Sequence, residues 1–194
     1  MESSVKSQRK FTALILIMMM LIGLIMSSPL RAEETTQVDP TILPATVSDL
    51  TPVPLEKVGQ GTFRKLGFRV YDATLWATQN TWNTSPPYAL QLCYSRDISK
   101  DTLIDTVMSD IEDQNVADEE TRARWKSVLD AALSDVNEGD VLVGLALPDG
   151  KTVLVYNGVV IASIEEQAFS DAFFSVWLGN NADEELRVAL LGGA

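Results

Sequence analysis

The chain has 194 residues, with 15 basic and 27 acidic side chains, no histidine and one cysteine, for a net charge of −12. Such a field repels polyanions and excludes nucleic acid and an anionic membrane surface as partners. The lack of histidine excludes His-dependent triads and His-ligated metals, and Cys93 alone cannot form an internal disulfide; its thiol reads as a small buried hydrophobe.

In chain order, Lys6, Arg9 and Lys10 precede an uncharged run from Phe11 to Met26, and "SSPLRA" follows. A basic start, a short apolar core and a small-residue exit predict a signal peptide over 1–32 and an exported protein. The run falls short of the ~20 residues of a membrane span; an uncleaved N-terminal anchor is the alternative. Residues 1–32 hold Lys6, Arg9, Lys10 and Arg31 against Glu2, so the remainder is more acidic still, at about −15. Its length suits one domain with its own core. Residues 33–54 are rich in Thr and Pro without periodicity and read as a linker or arm laid over that domain.

Regular structure is expected from Leu55. Residues 55–66 and 67–77 form a hairpin turning near Leu66-Gly67, and Tyr88 to Tyr94 is a third strand. Ser99 caps a helix carrying Leu103, Ile104, Val107, Met108 and Ile111 at helical spacing. A second helix runs from Glu119 to about Leu133, with Trp125, Val128, Leu129 and Ala132 inward. Asp149-Gly150 and Asn157-Gly158 then separate three strands, 141–147, 152–156 and 159–164. Helices over 166–178 and 184–191 close the chain. Strands, helices, strands, helices is the order of an α+β domain with a largely antiparallel sheet.

Pairing the hairpin outward from its turn sets Arg64 opposite Arg69, Thr62 opposite Tyr71, Gln60 opposite Ala73 and Val58 opposite Leu75, all on one face. The other face carries Phe63, Phe68, Val70 and Trp76 and meets the helices, with Gly59 and Gly61 leaving room. Two opposed guanidinium groups repel by up to about 1 kcal/mol. A carboxylate of the chain or a ligand would remove that cost, and so would a position at the tip in water. A one-residue slip of register would separate the pair.

The segments "GQGTFRKLGFRVYDATLWA", "YALQLCYSRDIS", the Trp125-Lys126 helix, "GDVLVGLALPDGKTVLVYNG" and "FSDAFFSVWLG...LRVALLG" together resemble the bacterial chalcone isomerase-like proteins, over Leu55 to Gly192. The resemblance implies the chalcone isomerase fold, a large antiparallel sheet covered on one face by helices, with a ligand cleft between them. It also implies a periplasmic location. Residue by residue, Arg64 matches the family's arginine, with Arg69 able to substitute; the strand-two threonine falls at Tyr71 and the late-helix pair at Val176 and Trp177. No tyrosine lies between Asp97 and Val155, so the helical tyrosine is absent. An arginine with a tyrosine resembles the fatty-acid-binding relatives more than the cyclising enzymes. The expectation is therefore a non-catalytic binder of a small apolar carboxylate such as a fatty acid, held by Arg64 and Tyr71 with Thr62 and Arg69 nearby, without cofactor or metal. The alternatives are an isomerase acting on a chalcone-like unsaturated carbonyl compound, and a structural or interaction protein of the envelope.

Overall fold

A computed structural model describes residues 42–193; the expected signal segment, 1–32, lies outside them, as do residues 33–41 of the expected arm. Strands β1 (Glu56–Lys65), β2 (Phe68–Ala77), β3 (Tyr88–Tyr94), β4 (Val141–Ala146), β5 (Thr152–Tyr156) and β6 (Val159–Ile164) form one sheet in sequential order. Every neighbouring pair is antiparallel. Two of the connections are two-residue turns, Leu66-Gly67 and Asn157-Gly158, with positive φ at all four positions. That is the turn whose twist suits a hairpin.

The helices are α1 (Ala45–Leu50), α2 (Lys100–Asp113), α3 (Glu119–Ala132), α4 (Gln167–Leu178) and α5 (Glu184–Leu190). Side chains of Ser99, Asp118 and Asp183 accept from backbone N–H groups at the starts of α2, α3 and α5, donors that would otherwise be unpaired. Alternate residues of β3 feed two cores. Leu90, Leu92 and Tyr94 pack with Ile104, Trp125 and Phe169 beneath the long helices. Ala89 and Cys93 pack with Val141, Val143 and Val155 on the opposite face. There the supposedly irregular arm holds α1, and its Val47 is fully buried. A helix of six residues is too short for its period to be read.

The β1–β2 hairpin departs from the pairing counted outward from its turn. Arg64 does lie opposite Arg69, but Phe63 then pairs with Tyr71, Thr62 with Asp72 and Gly61 with Ala73. Val70 is therefore an extra residue in β2, a β-bulge. A shift of one residue exchanges faces. Tyr71, Ala73 and Leu75 join Phe63 on the helical side. Thr62 and Asp72 align with Cys93 and Val141 on the other. Trp76, expected under the helices, also packs on that other face, where its Nε1 donates to Gln91 Oε1 at 3.1 Å. The carbonyl of Val70 accepts from Ser95 N at 2.9 Å, so the bulge leaves no orphaned acceptor.

α5 lies against β1 through a pair of glycines. A Cβ on Gly59 would stand 2.2 Å from the carbonyl oxygen of Ala189, and one on Gly61 would stand 2.9 Å from Leu186. Backbone at that distance cannot move aside as a side-chain end can. Gly59→Ala is therefore expected to destabilise the domain by about 1–3 kcal/mol, the usual cost of overpacking. Urea unfolding checks this: the midpoint falls while the slope stays unchanged.

Candidate ligand-binding cavity

A cavity of about 570 Å³ lies between the sheet and the helices, within the range of small-molecule sites. The bulged hairpin lines it with Phe63, Val70 and Tyr71, and β3 with Leu92 and Tyr94. Leu103 and Val107 of α2 and Val176 and Trp177 of α4 line it from the helical side. A second void of about 30 Å³ shares five of these residues and is also lined by Leu129, Leu142 and Leu154. The bulge explains why two consecutive residues, Val70 and Tyr71, both reach the cavity.

Most polar groups in the lining are engaged within the protein. Ser175 Oγ donates to Gln114 Oε1, and Gln114 Nε2 donates to Ala172 O at 3.4 Å. Thr106 Oγ1 donates back to Thr102 O at 2.7 Å, as helix hydroxyls commonly do. Trp177 Nε1 donates to the Tyr71 hydroxyl at 3.0 Å. Phe63 stacks on Tyr71 at 5.1 Å between ring centroids, and Tyr94 meets Tyr71 edge-on at 6.0 Å.

The charges in the lining are exposed and predominantly negative. Lys65 is the only basic residue there, against Asp110, Asp113 and Asp183. Loss of solvent, and then the neighbouring Asp113, raise the Asp110 carboxyl above its usual range, with Lys65 opposing. Among the described residues no group of three or more Cys, Asp or Glu side chains is arranged to hold a metal.

Three of the six residues expected at the site line this cavity: Tyr71, Val176 and Trp177. Arg64, Arg69 and Thr62 do not line it. Arg64 is exposed on a strand position of the opposite face. Its expected role at the head of a buried ligand loses its geometry, because Arg64 alternates with Phe63 along β1 and faces away from the helices, while the bulge in β2 brings Tyr71 to the inward side. Arg69 forms an ion pair with Asp72, whose carboxylate also accepts from Thr62 Oγ1 at 2.6 Å. The anion beside the arginine pair is thus a carboxylate of the chain itself. Sequence reasoning passed over Tyr94 as a core residue and did not single out Lys65. The available signal was that Tyr94 ends the inward row Tyr88, Leu90, Leu92.

All four tyrosines hold their protons unusually firmly. Burial is the leading cause at each: Tyr88 and Tyr156 are pushed up to about 12, and Tyr71 and Tyr94 are raised further. The unfolded chain loses these protons near pH 10. Above that pH the folded state binds more protons than the unfolded one, so stability present below pH 10 is lost as pH rises toward 12. Absorbance at 295 nm should show little tyrosine ionisation near pH 10 in the folded protein, then a steep rise coincident with unfolding. A normal titration near pH 10 with fold retained would contradict the burial of these rings.

Among the described residues no helix is long and apolar enough to cross a membrane. No curated protein matches the chain by sequence. The crystal structure of a fatty-acid binding protein of Arabidopsis thaliana matches with a TM-score of 0.56 and 11% identity, covering 71% of this chain and 87% of that one. At that identity the likeness is one of fold: the six-stranded antiparallel sheet with its helices is the chalcone isomerase-like architecture. The chalcone isomerase-like family matches residues 41–192, nearly all of the folded part. The chain belongs to the chalcone isomerase-like family.

Proposed function

We propose that the domain binds one small, largely apolar molecule in the cavity between β1–β3 and helices α2 and α4. The observation that carries this is the cavity itself: about 570 Å³, walled mainly by Phe63, Leu92, Leu103, Val107 and Val176. Burying apolar surface of a ligand there contributes roughly 25 cal/mol per Å². The Arabidopsis neighbour is a fatty-acid binding protein, which supports a ligand of that size and character. Of the head-group pair expected from the sequence, Tyr71 lines the cavity and Arg64 does not, and Lys65 is the basic residue in the lining. We extend the proposal to export from the cytoplasm, supported by the basic, apolar and small-residue succession of residues 1–32.

Nile red, an uncharged apolar dye, tests the reading. It should bind the folded protein with one-to-one stoichiometry and a blue-shifted emission. Val176→Trp fills the cavity from a half-buried position on α4, and should weaken the dye by roughly tenfold or more, about 1.4 kcal/mol, with the far-UV circular dichroism unchanged. Dye bound in excess of one per chain and indifferent to this substitution would place it on the surface and sink the proposal.

A further inference from the structure

Two of the most exposed apolar side chains stand together. Leu66, 93% exposed, and Phe68, 66% exposed, lead the large hydrophobic residues in solvent among the described residues, and both lie at the β1–β2 turn. Leu66 takes a positive φ of 52°, a conformation that strains any residue with a Cβ and that asparagine or glycine normally fills. The other two-residue turn follows that preference, with φ 47° at Asn157. Leucine at position 66 therefore strains its turn, and at 93% exposure no packing within the domain offsets the strain. A Cβ on the adjacent Gly67 would meet nothing within 4 Å, so the tip stands clear of the rest of the domain.

Cations flank these two side chains. Arg64 and Lys65 precede the turn, Arg69 follows it, and the Arg96 guanidinium lies over the Phe68 ring at 5.8 Å. In a chain with 27 acidic residues, Arg64, Lys65 and Arg96 form no ion pair among the described residues. The acids next to them are occupied. Asp72 is held by Arg69 and Thr62, and Asp97 accepts from the backbone N–H of Glu138 at 2.9 Å. Lys65 also feels Asp110 of the cavity lining.

We propose that the β1–β2 tip docks end-on against an anionic lipid surface, with Leu66 and Phe68 entering the headgroup–acyl boundary and Arg64, Lys65 and Arg96 meeting the phosphates. Both apolar side chains gain by leaving water, and a protruding tip enters a fluid surface without needing a matching pocket. The cations complement the charge of that surface. Taken as an average, the net charge of −12 excludes such a partner. Screening confines charge effects to about 8 Å at physiological salt, so the end that touches decides, and at this end the exclusion drawn from net charge is lifted. The same hairpin lines the cavity through Phe63, Lys65 and Val70, so docking brings the site proposed above beside a source of apolar ligand. The docking itself stands independently of that reading.

An indole at the tip tests this. The full chain carrying Phe68→Trp is mixed with vesicles of brominated phosphatidylcholine and phosphatidylglycerol at roughly 7:3. The added emission should be quenched, while the native indoles of the parent protein change little. Because the readout sits at the tip, a separate attachment through residues 1–32 does not mimic it. Leu66→Asn in the same background should raise the lipid needed for half-quenching by roughly tenfold. It should also raise the urea midpoint, because asparagine relieves the turn; a leucine kept for the fold would give a lower midpoint instead. Arg64→Gln with Arg96→Gln should weaken docking by roughly tenfold and flatten its dependence on salt. Nile red binding without vesicles should be unchanged by Leu66→Asn, so the cavity reading and the docking fail separately. A tip indole left unquenched, or quenched regardless of Leu66→Asn and of salt, overturns the proposal. If Leu66→Asn is more stable while the tip stays unquenched, the surface belongs to a protein partner and the lipid reading falls.

Discussion

One extra residue in one strand decides which side chains face the interior. Val70 has no partner on β1, and from that point outward from the turn each residue of β2 faces opposite to the way a plain two-residue hairpin would send it. Contacts available only in the bulged register hold it there. Phe63 stacks on Tyr71, Trp177 donates to Tyr71, and the Asp72 carboxylate gathers Thr62 and Arg69 on the opposite face. An exposed arginine–aspartate pair is worth no more than about 1 kcal/mol. The buried aromatic contacts and their hydrogen bond therefore carry most of the preference.

The exchange of faces has an electrostatic logic. A guanidinium turned into the cavity would have to shed its hydration, at a cost of several kcal/mol unless a buried anion met it. Both hairpin arginines stand in water, and the bulge sends a phenol inward. A phenol carries a donor into apolar surroundings at far smaller desolvation cost, since it stays neutral. The acidic character of the whole chain reappears in the cavity lining, where three aspartates face one lysine. The buried part of the lining is thus uncharged, while its exposed charges are mostly negative.

Much of the architecture was legible because it is written in local chemistry. The β-type residues of β3, the Ser99 cap and the Asp149-Gly150 and Asn157-Gly158 turns place β3, β5 and β6 and the start of α2 where they stand, and the ends of α3, α4 and α5 differ by one residue. Gly59 and Gly61 also announced the close approach of a helix, which proves to be α5. The site was legible only in part, for a physical reason. A bulge at Val70 is stabilised by Trp177, more than a hundred residues away, and by Ser95 N. Nothing in "FRVYD" marks the valine as unpaired, so outward counting from a correct turn gives Arg64 opposite Arg69 and then the wrong face for the β2 residues beyond. Tyr71, Val176 and Trp177 were reached through resemblance to a family, not through the residues' own pattern. The helix α1 was hidden for a simpler reason, since a single turn and a half between prolines carries no period.

The cavity is also held open by a rigid neighbour. Along α4, Phe169 stacks on Phe173 at 5.4 Å and Phe173 meets Trp177 at 5.3 Å, while Trp125 of α3 meets Phe169 at 5.6 Å. Trp125 is itself fixed, its Nε1 donating to Glu166 at 3.0 Å. Gly144 on β4 makes room for this row, since a Cβ there would fall 2.9 Å from the Phe173 ring. The row ends at Trp177, whose indole N–H orients the Tyr71 oxygen. A side chain in a packed aromatic row has little rotamer freedom left to lose, so a ligand that meets Tyr71 finds its partner already placed. The same row explains why the void does not simply close. Collapse onto the apolar walls would require Trp177 to leave both Phe173 and Tyr71, forfeiting an aromatic contact and stranding a buried N–H. The open volume is therefore a consequence of how α4 packs, and the polar end of the site is set by the same packing.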